Sequence, residues 1–227
     1  MAGASKSGTE YENQVATRMS EELLYKGTPI QVGMVAGSNK NAVDVPVVLI
    51  DGRFQLEAKT KKAFEFGSNK FYYKDKKYIL PENELIKHCF PDGYQPFGGF
   101  VPSFLTGDTS NLTLEKERRE QKAAGNPLDC RVPIVDRTLA AQYYKSKGAD
   151  YIQIQGLGLY RTGDDPRNLG LPLLEMELVM RIRCKPHKTN VNYSVQAQIN
   201  CVKKPTPSPY TLDKDDKLPP GFTRKAE

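Results

Sequence analysis

Between Val43 and Thr60 two apolar-rich runs, V-D-V-P-V-V-L-I and R-F-Q-L-E-A-K-T, flank the dipeptide Asp51-Gly52. This pattern predicts a β-hairpin, because a two-residue type I′ turn needs positive φ at both central positions, and Asp-Gly tolerates it. The turn sets a register in which Ile50 opposes Arg53, Val48 opposes Gln55, Pro46 opposes Glu57 and Asp44 opposes Lys59. Side chains alternate faces along a strand. One face then carries Val45, Val47, Leu49, Phe54, Leu56 and Ala58, while the other gathers Asp44, Glu57 and Lys59 at its open end. Asp44 and Glu57 become diagonal neighbours, about 7–8 Å apart at the backbone. Pro46 has no N–H for the ladder, so its strand is an edge or carries a bulge, and a bulge would shift the register.

Upstream, residues 1–8 are small and polar and read as a mobile terminus. Tyr11, Val15, Met19 and Leu23 recur every four residues and predict a helix from Thr9 to about Lys26, ended by Gly27. Thr9-x-x-Glu12 has the form of a capping box. Glu12 thus has two readings, as a helix cap or as a carboxylate aimed at the acidic end of the hairpin. Pro29–Ala36 predicts a short strand, and Gly37–Asn41 a polar loop leading to Asp44.

Downstream, residues 81–109 read as irregular and Leu112–Ala124 as a charged helix ending at Gly125. Asp136 is placed to cap a helix reaching about Lys147, with Leu139, Ala140, Tyr143 and Tyr144 inward. A strand over Asp150–Gln155 follows, and Gly156 and Gly158 then allow close backbone approach. Leu174–Cys184 and Val191–Val202 alternate over long runs and predict paired antiparallel strands with one wet side. The segment 203–227 holds five prolines among charges, which leaves it either wrapped on the domain or disordered.

Composition narrows the partners. The net charge of +6 and pI near 9.0 suggest a polyanion. No apolar run is long enough to span a membrane, and the N-terminus lacks the apolar core of a signal peptide. Four scattered cysteines without a C-x-x-C pair fit reduced thiols, hence a cytoplasmic or nuclear protein that is not secreted. Lys61, Lys62, Lys70, Lys74, Lys76 and Lys77 are interleaved with aromatics, a pattern suited to phosphate contact and also to a solvated strand pair with an aromatic core. On the wet side of the later strands, Arg181, Arg183, Asn192, Gln196 and Gln198 can pair with base edges in a groove, or simply meet solvent.

The hairpin residues carry the clearest chemistry. Asp44, Glu57 and the Ala58 carbonyl are hard oxygen donors suited to Mg²⁺, with Mn²⁺ as a substitute. A cation there polarises a phosphate and acidifies water, and Lys59 can position or deprotonate that water, or stabilise developing charge. The plain alternative is a cross-strand salt bridge.

Glu12 in a helix, Asp44 at a strand start and Glu57-Ala58-Lys59 on the next strand resemble the PD-(D/E)xK nuclease superfamily. One departure is Val43, where the motif has proline. The resemblance implies an α/β fold with a restriction-endonuclease-like αβββαβ core and mixed central sheet over residues 9–155. A C-terminal antiparallel β-hairpin (171–202) would complete a single domain, 9–202. It also implies that Asp44 and Glu57 bind metal, that Lys59 serves catalysis, and that Glu12 assists the metal or orients Lys59. The expected function is a Mg²⁺-dependent DNA endonuclease without a small-molecule cofactor. Its leading form is a sequence-specific, type II-like restriction enzyme cutting double-stranded DNA as a homodimer. The alternatives are a structure-specific nuclease (a junction resolvase or a repair or recombination nuclease), a non-catalytic nucleic-acid-binding module, or an RNA substrate.

Overall fold

The computed structural model describes residues 3–34, 44–60, 65–80, 84–89, 94–107, 111–125, 128–186 and 193–226. In chain order, helix α1 (Gly3–Thr17) runs into a π-helical turn (Arg18–Glu22) and strands β1 (Leu23–Tyr25), β2 (Thr28–Pro29), β3 (Gln31–Val32), β4 (Val45–Leu49) and β5 (Gly52–Lys59). Then come β6 (Glu65–Lys74), β7 (Lys77–Ile79), α2 (Glu84–Cys89), α3 (Asn111–Ala123), β8 (Asp129–Ile134), α4 (Leu139–Ser146), β9 (Tyr151–Ile154) and β10 (Gly158–Arg161). β11 (Glu177–Pro186), β12 (Tyr193–Lys203) and β13 (Phe222–Arg224) complete a mixed α/β protein with more strand than helix. No helix among the described residues is long and apolar enough to cross a membrane.

The chain divides into two compact units: Met1–Phe64 with Asp136–Met176 and Lys204–Glu227, and Glu65–Val135 with Glu177–Lys203. In the first, five strands lie in the order β10-β9-β5-β4-β3. β3, β4 and β5 form an antiparallel meander, and β9 joins β5 in parallel, Leu56 opposite Tyr151 and Lys59 opposite Ile154. α1 and the π-helical turn after it lay Tyr11, Val15 and Met19 on Val45, Val47, Phe54, Leu56 and Ala58 in one buried cluster. The four-residue stripe and the apolar hairpin face therefore meet as their periodicities predict.

Several local features differ from the sequence reading. α1 starts at Gly3, so Thr9 lies inside the helix rather than at its N-cap. Once a turn is nucleated, adding residues costs little, and the small residues before Thr9 extend it. The helix also stops early. Lys26 and Gly27 take φ of 49° and 76° and close a two-residue turn between β1 and β2. Leu23 is still buried, but on a strand pairing with β13 about two hundred residues on, a partner no local pattern reveals. The strand expected over Pro29–Ala36 is split, β2 in one sheet and β3 in another; its last two residues lie outside the described residues.

The hairpin register is shifted by two. Leu49 opposes Gly52, Val48 opposes Arg53, Pro46 opposes Gln55 and Val45 opposes Leu56, leaving Ile50 and Asp51 as the turn. Gly52 takes the positive φ, +145°. Asp51 is held there by Lys26 Nζ at 2.6 Å, and its carbonyl accepts from Arg167 at 2.8 Å. A shift of two leaves every side chain on its face. It also brings Asp44 level with Glu57 when the ladder is continued past Val45. β4 is not an edge: β3 covers it by bonding to the Pro46 carbonyl (Gly33 N–H, 2.9 Å), which requires no proline N–H.

The segment after Lys203 wraps the first unit. Leu212 and Phe222 are buried in its core. Asp213 accepts from the Tyr11 hydroxyl at 2.7 Å and from Gln153 at 3.2 Å. Gly158, at φ +110°, lets the Tyr210 carbonyl accept from Leu159 N–H at 2.8 Å.

The second unit is an antiparallel sheet in the order β7-β6-β12-β11-β8. The expected C-terminal hairpin is present as β11 and β12, but as the centre of this sheet rather than an appendage. Leu178, Met180, Ile182, Cys184, Val195, Ala197 and Ile199 are buried on one face. Leu174 and Met176, expected on the same strand face, belong to the first unit. α2 interrupts the stretch read as irregular, and α3 lies within a residue of its expected bounds.

Candidate active site

β4 and β5 bring Asp44 and Glu57 to one end of the first sheet, because both residues precede or alternate with buried apolar positions. Asp44, Glu57 and Glu12 are all buried, at 6%, 2% and 6% exposure, which carboxylates rarely are without a partner. Lys59 Nζ supplies that partner, donating to Asp44 Oδ2 at 2.8 Å and lying 2.7 Å from Glu57 Oε1. The Ala58 N–H donates to the same Asp44 oxygen at 3.1 Å. The carbonyls of Gln55 and Lys59 accept from the β9 side. Backbone groups alternate direction along a strand, so the Ala58 carbonyl points the other way, toward Asp44.

Glu12 reaches this group from α1. Burial first, then the charge of Asp44 and, more weakly, of Glu57 push its carboxyl up to about 7 against the pull of Lys59. Burial likewise raises Glu57, opposed by Lys59 and reinforced by Asp44. Burial acts to lower Lys59, but Glu57, Tyr144 and Asp44 more than offset it, and its pKa lies above the ordinary lysine value. Lys59 is therefore an ammonium at neutral pH, suited to holding or neutralising anionic charge and unsuited to removing a proton.

Tyr144, inward on its helix by sequence, also lies near this group. It is buried on α4, and its pKa is raised by burial and, secondarily, shaped by Lys59 and Glu57. α4 thus covers the polar side of β5, and Lys147 from its C-terminal end adds positive charge toward Glu57. Helix periodicity marks Tyr144 as inward but carries no information on which strand end it meets.

Among the described residues no group of three or more His, Cys, Asp or Glu side chains converges as a ready metal cage. Lys59 nitrogen stands between Asp44 and Glu57 instead. The donor set nevertheless fits a hard cation. Glu12 Oε2 and Glu57 Oε2 are buried carboxylate oxygens without a hydrogen-bond partner, the costly condition that a proton or a cation relieves.

The other predicted residues lie in the second unit or outside the described residues. Lys61, Lys62 and Asn192 belong to the latter. Lys70, Lys74, Lys76 and Lys77 are exposed on β6, β7 and their turn. Arg181, Arg183, Gln196 and Gln198 share the outward sheet face with Lys70, in rows fixed by Arg183 opposite Gln196 and Gln196 opposite Lys70. Arg181 is engaged by Asp129 through two nitrogens. Base reading in the major groove by a two-stranded ribbon requires a ribbon with free flanks. Here both flanks of that ribbon are occupied, by β6 and β8. No family model, curated protein or solved structure matches this chain.

Proposed function

We propose that the chain is a Mg²⁺-dependent endonuclease whose active site is Asp44, Glu57 and Lys59 with Glu12. The observation that carries this reading is the pair of buried carboxylates, Asp44 and Glu57, on one ammonium at the end of two adjacent strands, with the buried Glu12 near enough to feel the charge of all three. A plain salt bridge needs one acid, and burying two further carboxylates has a cost that a structural role does not explain. The order helix, three-strand meander, helix and parallel strand supports a restriction-endonuclease-like core.

Asp44, Glu57 and the Ala58 carbonyl would hold Mg²⁺, with Mn²⁺ as substitute and Glu12 as an additional oxygen donor. Bound there, the cation would polarise the scissile phosphate and lower the pKa of an attacking water. The Ala58 N–H fixes the orientation of Asp44. Lys59, freed from one carboxylate, would donate to the phosphate as negative charge develops on it. Tyr144 is buried close enough to Lys59 and Glu57 for their charges to act on it.

The restriction-type homodimer, with one site per DNA strand, is one form of this proposal. The structure-specific form gains support from the flanked β11–β12 pair, which removes the argument for groove reading and leaves charge and shape as the means of recognition. Incubation of supercoiled plasmid and of branched or gapped oligonucleotides with Mg²⁺, against an EDTA control, tests both. Discrete plasmid bands support the restriction-type enzyme. Cutting confined to the branched or gapped substrates supports the structure-specific one. Absence of cleavage with binding retained identifies a non-catalytic binding module and overturns the proposal.

A further inference from the structure

From the level of Arg131 and Arg181 to the β6–β7 turn, the described outward strand positions of the second unit carry Lys70, Lys74, Lys77, Arg131, Arg181 and Arg183. Asp129 is the one acid among them, and Arg181 already engages it. Such a face attracts a polyanion. Within it stands Tyr72, 63% exposed, opposite Ile79, which is 44% exposed. A large aromatic left open to water amid cations is a poor core residue, and its neighbours Phe71 and Tyr78, on the other face, are buried as core residues should be. Its ring is available for stacking.

Shape decides the form of the polyanion. Neighbouring strands lie about 4.8 Å apart, so five strands present a face roughly 19 Å wide, whereas the major groove of DNA is about 12 Å wide. This face cannot enter a groove, and a duplex laid on it would keep its bases stacked within the helix, out of reach of Tyr72. A single strand has unstacked bases for the ring and a flexible backbone that can follow the rows Lys70–Gln196–Arg183 and Arg131–Arg181–Gln198. We infer that the outward sheet face of the second unit binds single-stranded nucleic acid, with Tyr72 as stacking platform and Lys70, Lys74, Lys77, Arg131 and Arg183 as phosphate contacts. The inference deepens the nuclease proposal by naming a single-stranded segment in the substrate. It rests on that reading only for the statement that the bound strand is later cut.

The test is fluorescence anisotropy of the full chain in EDTA, with labelled oligothymidylate, oligouridylate and a duplex of equal length. EDTA separates binding from cleavage. Either single strand should bind at least tenfold more tightly than the duplex, and the comparison of the two shows whether the face prefers DNA or RNA. Tyr72→Ala should weaken single-strand binding on the order of tenfold and Tyr72→Phe should restore it, as expected for stacking. Lys70→Glu should flatten the salt dependence by about 0.7 in log–log slope for each phosphate it no longer neutralises. Both positions are exposed, so the variants should keep the wild-type circular dichroism and melting temperature. Equal or tighter duplex binding, or unchanged affinity in Tyr72→Ala, overturns the inference. Single-strand binding without any cleavage in Mg²⁺ leaves it standing and removes the nuclease proposal alone.

Discussion

Replacing Lys59 by methionine keeps an unbranched side chain, one atom shorter, and deletes its charge. Asp44 and Glu57 then lose the group that lies 2.8 and 2.7 Å from them, and both are nearly closed to water. Removing one partner of a buried ion pair costs about 3–5 kcal/mol, because the remaining charge is stranded. Part of that is recovered if Glu57 takes up a proton, which its raised pKa favours. At about 2–4 °C per kcal/mol for a chain of this size, Lys59→Met should lower the melting temperature in EDTA by roughly 6–20 °C at pH 8. At pH 5 the loss should be smaller, since burial holds the Glu57 pKa above its ordinary value and the stranded carboxylate takes up a proton more readily there. Adding Mg²⁺ should stabilise the variant more than the wild type, because the cation no longer competes with an ammonium; a ligand at a hundred times its dissociation constant contributes about 2.7 kcal/mol. The Lys59→Met/Glu57→Gln pair should show coupling of about 1–3 kcal/mol. Differential scanning fluorimetry with and without Mg²⁺ reads all of these. A variant as stable as wild type at pH 8 in EDTA would refute the reasoning, since the carboxylates would then not depend on Lys59.

Glu12 gives a stability slope of defined sign. Its carboxyl is raised to about 7 in the folded state, so between the ordinary carboxylate pKa and pH 7 the folded protein holds a proton the unfolded chain has released. Stability therefore falls as pH rises through that window and levels off above it. In EDTA, Glu12→Gln should remove this slope and stabilise the protein above pH 7 by about 1–3 kcal/mol, allowing for partial solvent screening; urea titrations at pH 5 and pH 8 measure it. At Gly158, an added Cβ would meet the Tyr210 carbonyl oxygen at 2.5 Å and φ is +110°. Gly158→Ala should cost more than about 2 kcal/mol, between positive-φ strain and displaced chain, and should expose 204–227 to limited proteolysis while Gly170→Ala, with open space around its Cβ, does not. Leu212→Ala should cost about 2–5 kcal/mol by leaving a cavity in the same core, seen as a lower urea midpoint.

Much of the first unit can be read from alternation alone. Val45, Val47, Leu49, Phe54, Leu56 and Ala58 fall on the buried face whether or not the turn is placed correctly, because an even register shift preserves parity. For the same reason Asp44, Glu57 and Lys59 stay together. Glu12 was legible as a residue flanking the Tyr11–Val15–Met19 stripe, though the capping box offered a competing local reading that the earlier helix start removes. The turn itself was misplaced because Asp51 is fixed by Lys26 and Arg167, distant contacts that outweigh the local preference of Asp-Gly.

What stayed hidden depended on distance in sequence. β1 looks like a helix end until β13 is known to pair with it. The strands β11 and β12 look like an independent ribbon until β6 and β8, from the middle of the chain, are placed beside them. Tyr144 looks like core until α4 is placed over the polar side of β5. The wrapping of 204–227 was one of two fates the proline-rich composition allowed. Leu212, Phe222 and the Asp213 carboxylate decide it, by burial and by hydrogen bonds to Tyr11 and Gln153.

A nuclease of this kind requires that Asp44 and Glu57, with the Ala58 carbonyl, hold a divalent cation. Calorimetric titration of the folded protein with Mn²⁺, repeated with Mg²⁺, addresses this directly. The wild type should bind either ion. Asp44→Asn and Glu57→Gln should each weaken binding by at least tenfold, with folding checked by circular dichroism. A wild type that takes up neither ion, or variants that bind as tightly as the wild type, would contradict it.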